Sequence, residues 1–162
     1  MEARATPTVN TVGGLSDPIA RVGADGPAPK GPVRDVLAEA HPGMRSSLST
    51  LLNHEPDMHV IADAADADSA IHVLVARPDV LILDDKIAGK PSEARFRALM
   101  ATNATADSRI VITTTEDSRQ LALHALDAGA TAVVLKDKAP TDLAQAIRSA
   151  AQGHRYISPD IR

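Results

Sequence analysis

The sequence has no cysteine and no tryptophan, and its only aromatic residues are Phe96 and Tyr156. Without cysteine there is no disulfide framework and no thiol chemistry, and a reducing compartment fits. With so few rings, the core must be built from Leu, Ile, Val and Ala. No apolar run approaches the length of a membrane span, and no basic-then-apolar signal opens the chain. The expectation is therefore a cytoplasmic location and no membrane partner. An excess of positive charge is lacking too: 17 Lys and Arg stand against 21 Asp and Glu, a formal net charge of -4. That balance disfavours binding to a phosphate backbone, so no nucleic-acid partner is expected of this chain alone.

What is present suits one ordinary globular domain. The chain has 162 residues, 44% hydrophobic and 23% charged, enough for a single core. Residues 1–32 differ from the rest. Pro7, Pro18, Pro27, Pro29 and Pro32 alternate with glycines, and apolar residues come singly. Such a segment buries too little surface to offset its ordering entropy, and a disordered N-terminal tail is expected there. A docking peptide is the less common use of such a terminus.

From Val33 the pattern turns regular. Val33 to Ala38 reads as a strand, and Pro42 suits the first turn of a helix running to about His54, with Met44, Leu48, Leu51 and Leu52 on one face. Met58 to Ala62 is a second strand, followed by a helix whose expected buried stripe is Ala70, Ile71, Leu74 and Val75. Asp79 to Leu83 is apolar on both faces, the mark of a fully buried strand, and it halts on Asp84 and Asp85. A helix is expected near Ser92 to Met100 and a fourth strand from Arg109 to Thr113. A helix closed by Gly129 comes next, then a strand from Thr131 to Leu135, then a helix opened by Pro140. Residues 33–155 thus form one domain of five βα units, with 156–162 as a C-terminal tail.

Strict alternation of this kind implies a parallel sheet with helices on both faces and right-handed crossovers. Five strands suit the flavodoxin-like three-layer order 2-1-3-4-5. In such a sheet the carboxyl ends of the strands line one crevice, and the residues there are Glu39, Asp84, Thr114 and Lys136. That set has chemical meaning. A carboxylate can attack phosphorus and carry an acyl phosphate. A hydroxyl can donate to one phosphoryl oxygen, and an ammonium can pair with another. Asp84 would be the acceptor, Thr114 the hydroxyl and Lys136 the cation. Glu39, with Asp84, would help hold Mg²⁺ through water.

Each residue also has an ordinary explanation. An acid at a strand end is often a helix cap. Thr114 lies in a run of three threonines that suits a strand end. A lone lysine is mostly a solvated charge. Asp85 is expected to point away from Asp84 by strand alternation. The six histidines have no metal-ligand spacing. The co-location of Asp84, Thr114 and Lys136 at three strand ends is what raises the functional reading.

At these residues the sequence resembles response-regulator receiver domains of the NarL/FixJ type. The likeness rests on Val36-Leu37-Ala38-Glu39-Ala40-His41-Pro42, Arg77-Pro78-Asp79-Val80-Leu81-Ile82-Leu83-Asp84, Ala128-Gly129-Ala130, Leu135-Lys136-Asp137 and Gly153-His154-Arg155-Tyr156-Ile157-Ser158-Pro159. It spans roughly Val33 to Pro159. The resemblance implies a CheY-like fold, a phospho-accepting Asp84, a switch hydroxyl on Thr114 and an essential Lys136. It also implies a histidine kinase or other signalling protein as partner. Homodimerisation is implied through the face of the fourth helix, fifth strand and fifth helix, or through the first and last helices. Three positions depart from the pattern. Ala40 replaces the second acid after the first strand, Ile87-Ala88-Gly89 replaces Met-Pro-Gly, and Val133 holds the aromatic switch position.

Two functions follow. One is a two-component signalling receiver, with a weak Mg²⁺ site at most. The other is a pseudo-receiver that binds proteins or a small ligand without phosphotransfer. An enzyme is not expected, since the second acid after the first strand is missing and no general-base candidate lies near Asp84. A flavoprotein is disfavoured by the missing phosphate-binding loop and the scarcity of aromatics. Family members commonly carry a DNA-binding domain after the receiver. This chain would then be either a stand-alone receiver or the receiver part of a LuxR-type regulator.

Overall fold

The computed structural model describes residues 31–162. The expected disordered tail therefore lies, apart from its last two residues, outside the described residues. The elements in order are β1 (Val33–Ala38), α1 (Pro42–Asn53), β2 (Met58–Ala64), α2 (Ala67–Val73), β3 (Val80–Asp84) and the single-turn α3 (Asp85–Ala88). They continue with α4 (Ala94–Ala106), β4 (Arg109–Thr114), α5 (Arg119–Asp127), β5 (Ala132–Leu135), α6 (Ala139–Ala151) and β6 (Tyr156–Ile157). The sheet is parallel throughout, in the order β2-β1-β3-β4-β5-β6. This is the expected 2-1-3-4-5 arrangement with a sixth strand added. The seven residues read as a C-terminal tail supply that strand, and Ile161 is buried.

Period-2 alternation divides the strands between two cores. Val36, Leu81, Leu83, Ile110 and Val133 face one side, covered by Ala70 and Leu74 near α2, Phe96 and Leu99 of α4, and Leu126 of α5. Leu37, Ile82, Val111 and Val134 face the other, covered by Leu48 and Leu52 of α1 and by Leu143 and Ile147 of α6. The run Val80–Asp84 is buried at every position, as a central strand covered on both faces requires.

Sequence-visible caps set the starts of three helices. His41 caps α1 by accepting from the Met44 N–H, with Pro42 in the first turn. Asp66 caps α2 through the Ser69 N–H, and Ser118 caps α5 through the Leu121 N–H. The stripe expected on α2 is only half right. Ala70 and Leu74 are buried, but Ile71 is 37% and Val75 73% exposed. The helix tightens into a 3₁₀ turn at Leu74–Ala76, which carries Val75 out to solvent.

Candidate functional site

Parallel topology brings the ends of β1, β3, β4 and β5 to one rim. Strand β3 ends on Asp84, whose register partner on β4 is Thr113, with Thr114 one residue beyond. Thr114 pairs with Leu135 on β5, and Lys136 follows in a 3₁₀ turn. Glu39 follows the end of β1 and is tied to β2 by its N–H to the Ala64 carbonyl.

Three of the four candidate residues meet. The Lys136 ammonium donates to Asp84 Oδ1 at 2.8 Å and lies 3.0 Å from Glu39 Oε1. Asp84 is fully buried and Glu39 is 1% exposed. Asp84 is otherwise held by backbone: the Lys86 N–H donates to Oδ1 at 3.1 Å, and the Ala40 N–H to Oδ2 at 3.2 Å. Burial pushes the Asp84 carboxyl up, but the bonds from Lys136, Lys86 and Ala40 outweigh it and hold it below its ordinary value. Burial likewise works against the Lys136 charge, and Asp84 and then Glu39 outweigh it, so this ammonium is held above the usual lysine value. The result is an ionised acid, an ionised lysine and a second acid in one buried cluster.

Thr114 stands at the same rim, 7% exposed, but its hydroxyl turns elsewhere. It donates to Asp85 Oδ2 at 2.6 Å and accepts from the Glu116 N–H at 3.0 Å. Asp85 therefore does not point away from the site, as alternation suggested. Strand β3 stops at Asp84, and a helical turn begins at Asp85. Period-2 alternation ends there, and the turn swings the Asp85 side chain toward β4. Burial raises the Asp85 carboxyl; the Thr114 bond works against that, and the neighbouring Asp84 adds to it. Its second oxygen, Oδ1, is buried with no hydrogen-bond partner. The doubled acid Asp84-Asp85 was the signal that could have marked it.

A divalent cation has a poor donor set here. Glu39 and Asp84 are the carboxylates at the recess, Ala40 offers no side-chain oxygen, and both acids already face the Lys136 ammonium. Among the described residues no group of three or more metal-ligating side chains is placed to hold an ion. Mg²⁺ favours octahedral oxygen ligation and uses carboxylates as its protein anchors. The residues present do not fit a tightly held Mg²⁺.

Beside Thr114 lies a solvent-open pocket of about 250 Å³, whose lining combines the apolar Phe96, Ile112 and Val133 with the charged Lys90, Glu93 and Arg95. The histidines take structural places where they make contacts: His41 caps α1, and the His54 ring bonds the Thr50 carbonyl.

Comparison with known proteins gives a consistent answer. The response regulator receiver domain family matches residues 36–148. The oxygen regulatory protein NreC of Staphylococcus epidermidis is 37% identical over 127 residues, covering 75% of this chain and 56% of that protein. The chain thus spans little more than half the length of this curated relative. Among solved structures, a LuxR-family two-component response regulator from an Aurantimonas species aligns with a TM-score of 0.71 and 32% identity, covering 80% of this chain and 92% of that one. The signal receiver domain of the putative response regulator NarL from Mycobacterium tuberculosis aligns with a TM-score of 0.67 and 25% identity, covering 77% of this chain and all of that one.

Proposed function

Since the chain belongs to the response-regulator receiver domain family of two-component signalling, we propose that Asp84 is its phosphoryl acceptor and that Thr114 and Lys136 serve the transferred group. The observation that carries this reading is the state of Asp84: buried, ionised, and facing an ammonium with 2.8 Å between donor and acceptor. An Asp84 oxygen bonds to phosphorus as the donor's bond to phosphorus breaks, and the electron pair of that bond leaves with the donor. Lys136 then pairs with a phosphoryl oxygen, and the Ala40 and Lys86 N–H groups steady the acyl oxygens. The donor is a phosphohistidine on a histidine kinase, and the readout is a contact with another signalling protein or a second copy of the chain. Any Mg²⁺ is held weakly, by Glu39 and Asp84. The site turns over no substrate of its own. A cytoplasmic location suits this role, and among the described residues no helix is long and apolar enough to cross a membrane.

Ala40 favours a second reading, in which the domain signals through protein contacts without phosphotransfer. The two readings part in one experiment. The full chain is incubated with acetyl phosphate, with and without Mg²⁺, and its intact mass is followed. A base-labile gain of one phosphoryl group, lost in Asp84→Asn, supports the acceptor. If the wild type takes up nothing and Ala40→Asp gains both Mg²⁺ binding and phosphoryl uptake, the second reading holds. Restoring one carboxylate ligand is expected to improve Mg²⁺ affinity by roughly 10–100-fold.

A further inference from the structure

The Thr114 hydroxyl has one proton to give, and in this structure it is committed. It donates to Asp85 Oδ2 at 2.6 Å. Its oxygen is also engaged, accepting from the Glu116 N–H at 3.0 Å. A hydroxyl is a single donor, so it cannot serve Asp85 and a phosphoryl oxygen on Asp84 at the same time. Asp85 is well placed to keep it. The carboxylate is anchored in α3, directly after Asp84, and its other oxygen is buried without a partner. No basic side chain pairs with Asp85 in the described structure, while Lys136 is taken up by Asp84 and Glu39. The Thr114 proton is therefore the one strong donor Asp85 has.

We propose that Asp85 is a built-in competitor for the switch hydroxyl: it supplies, from the same chain, the acceptor oxygen that Thr114 would otherwise meet on a phosphorylated Asp84. Thr114 is thus held inward in the resting protein. A phosphoryl group gains its Thr114 bond only by displacing a carboxylate. This deepens the acceptor reading of Asp84 and rests on it for its consequence, but the resting contact itself does not depend on phosphotransfer.

The test has two arms. In the first, three-bond couplings in methyl-labelled protein report the Thr114 side-chain rotamer, with no phosphoryl donor and no metal added. The wild type and Asp85→Asn, which keeps an acceptor oxygen, are expected to show one rotamer, and Asp85→Ala an averaged one. A single unchanged rotamer in Asp85→Ala, or averaging already in the wild type, would overturn the proposal. In the second arm, initial rates of phosphoryl uptake from acetyl phosphate are compared in wild type, Asp85→Ala, Thr114→Ala and the double variant. Asp85→Ala is expected to speed uptake roughly tenfold, the net worth of one hydrogen bond. The gain should vanish in the Thr114→Ala background. A gain that persists there would mean that Asp85 acts by charge alone, against the proposal. If no variant takes up phosphate, the acceptor reading fails, and the rotamer arm still decides the role of Asp85.

Discussion

Asp35 occupies a position on β1 where its neighbours Val33 and Leu37 pack into the α1–α6 core. It is fully buried, and neither carboxylate oxygen has a hydrogen-bond partner. Burial, with Asp79 and Asp57 nearby, raises its pKa from 3.8 to about 8. A neutral acid is what such a site can hold, because an unpaired buried charge would cost far more. The sign follows directly. Between about pH 4 and pH 8 the folded chain keeps this proton and the unfolded chain loses it, so stability falls as pH rises through that window. The loss is on the order of 5 kcal/mol by the top of the window. Asp35→Val is expected to remove that slope and to raise the urea midpoint more at pH 8 than at pH 5. Equal gains at both values would refute a protonated Asp35. The same residue marks the limit of sequence legibility at this scale. The apolar character of Val33 to Ala38 shows a buried strand but cannot say how one acid inside it is accommodated. Asp84, Glu39 and Lys136 were legible because parallel strands send their carboxyl ends to one rim. Asp85 was not, since its direction depends on which residue ends β3.

Strand β5 carries Val133 on the face that looks toward α4 and α5, and the space above it is the pocket of about 250 Å³ beside Thr114. This pocket opens to solvent past Lys90, Glu93 and Arg95, so a larger apolar side chain among its inner residues would bury surface that now faces water. Val133→Phe places a ring there, against Phe96 and Ala125. The expected gain is about 1 kcal/mol from added apolar burial, read as a higher urea midpoint with an unchanged slope. Leu143→Ala on the opposite layer is the contrast. Leu143 is fully buried in α6, and its truncation should cost roughly 2–5 kcal/mol. A destabilised Val133→Phe would mean that the pocket walls are already fixed too close for a ring. The order and type of the five main strands and their helices could be read in advance, since each spans enough residues to display its period. Helix α2 departs from its sequence pattern. Its seven residues give barely two turns, and the switch to 3₁₀ at Leu74 turns Val75 out to solvent. A 3.6-residue pattern extended past that point therefore assigned Val75 to the buried face.

At the scale of the whole molecule, the sheet does not end where the five βα units end. Two residues of β6 are too few to show a period in the sequence, yet they pair with β5 at Ala132↔Tyr156 and Val133↔Ile157. The segment after them does more than lengthen the sheet. The Leu135 N–H, next to Lys136, donates to the Ser158 hydroxyl at 3.0 Å in a buried bond. Ile161 is 3% exposed in the core that contains Phe96 and Leu126. The Arg162 N–H donates to Asp117 Oδ1 at 2.6 Å, and the Arg119 N–H donates back to the Arg162 carbonyl. Residues 156–162 therefore fasten the end of β5, which delivers Lys136, to the start of α5. A variant ending at Arg155 would lose the buried Ile161 together with the half-buried Tyr156 and Ile157, and leave the Leu135 N–H without its partner. Burial of an isoleucine is worth roughly 2 kcal/mol and an orphaned buried donor costs about 1–3 kcal/mol. The shortened chain is thus expected to be less stable by about 4 kcal/mol in urea unfolding followed by circular dichroism. Ile161→Ala alone should show part of that loss. An unchanged midpoint on removal of all seven residues would return them to the status of a tail and leave β5 as the true edge of the sheet.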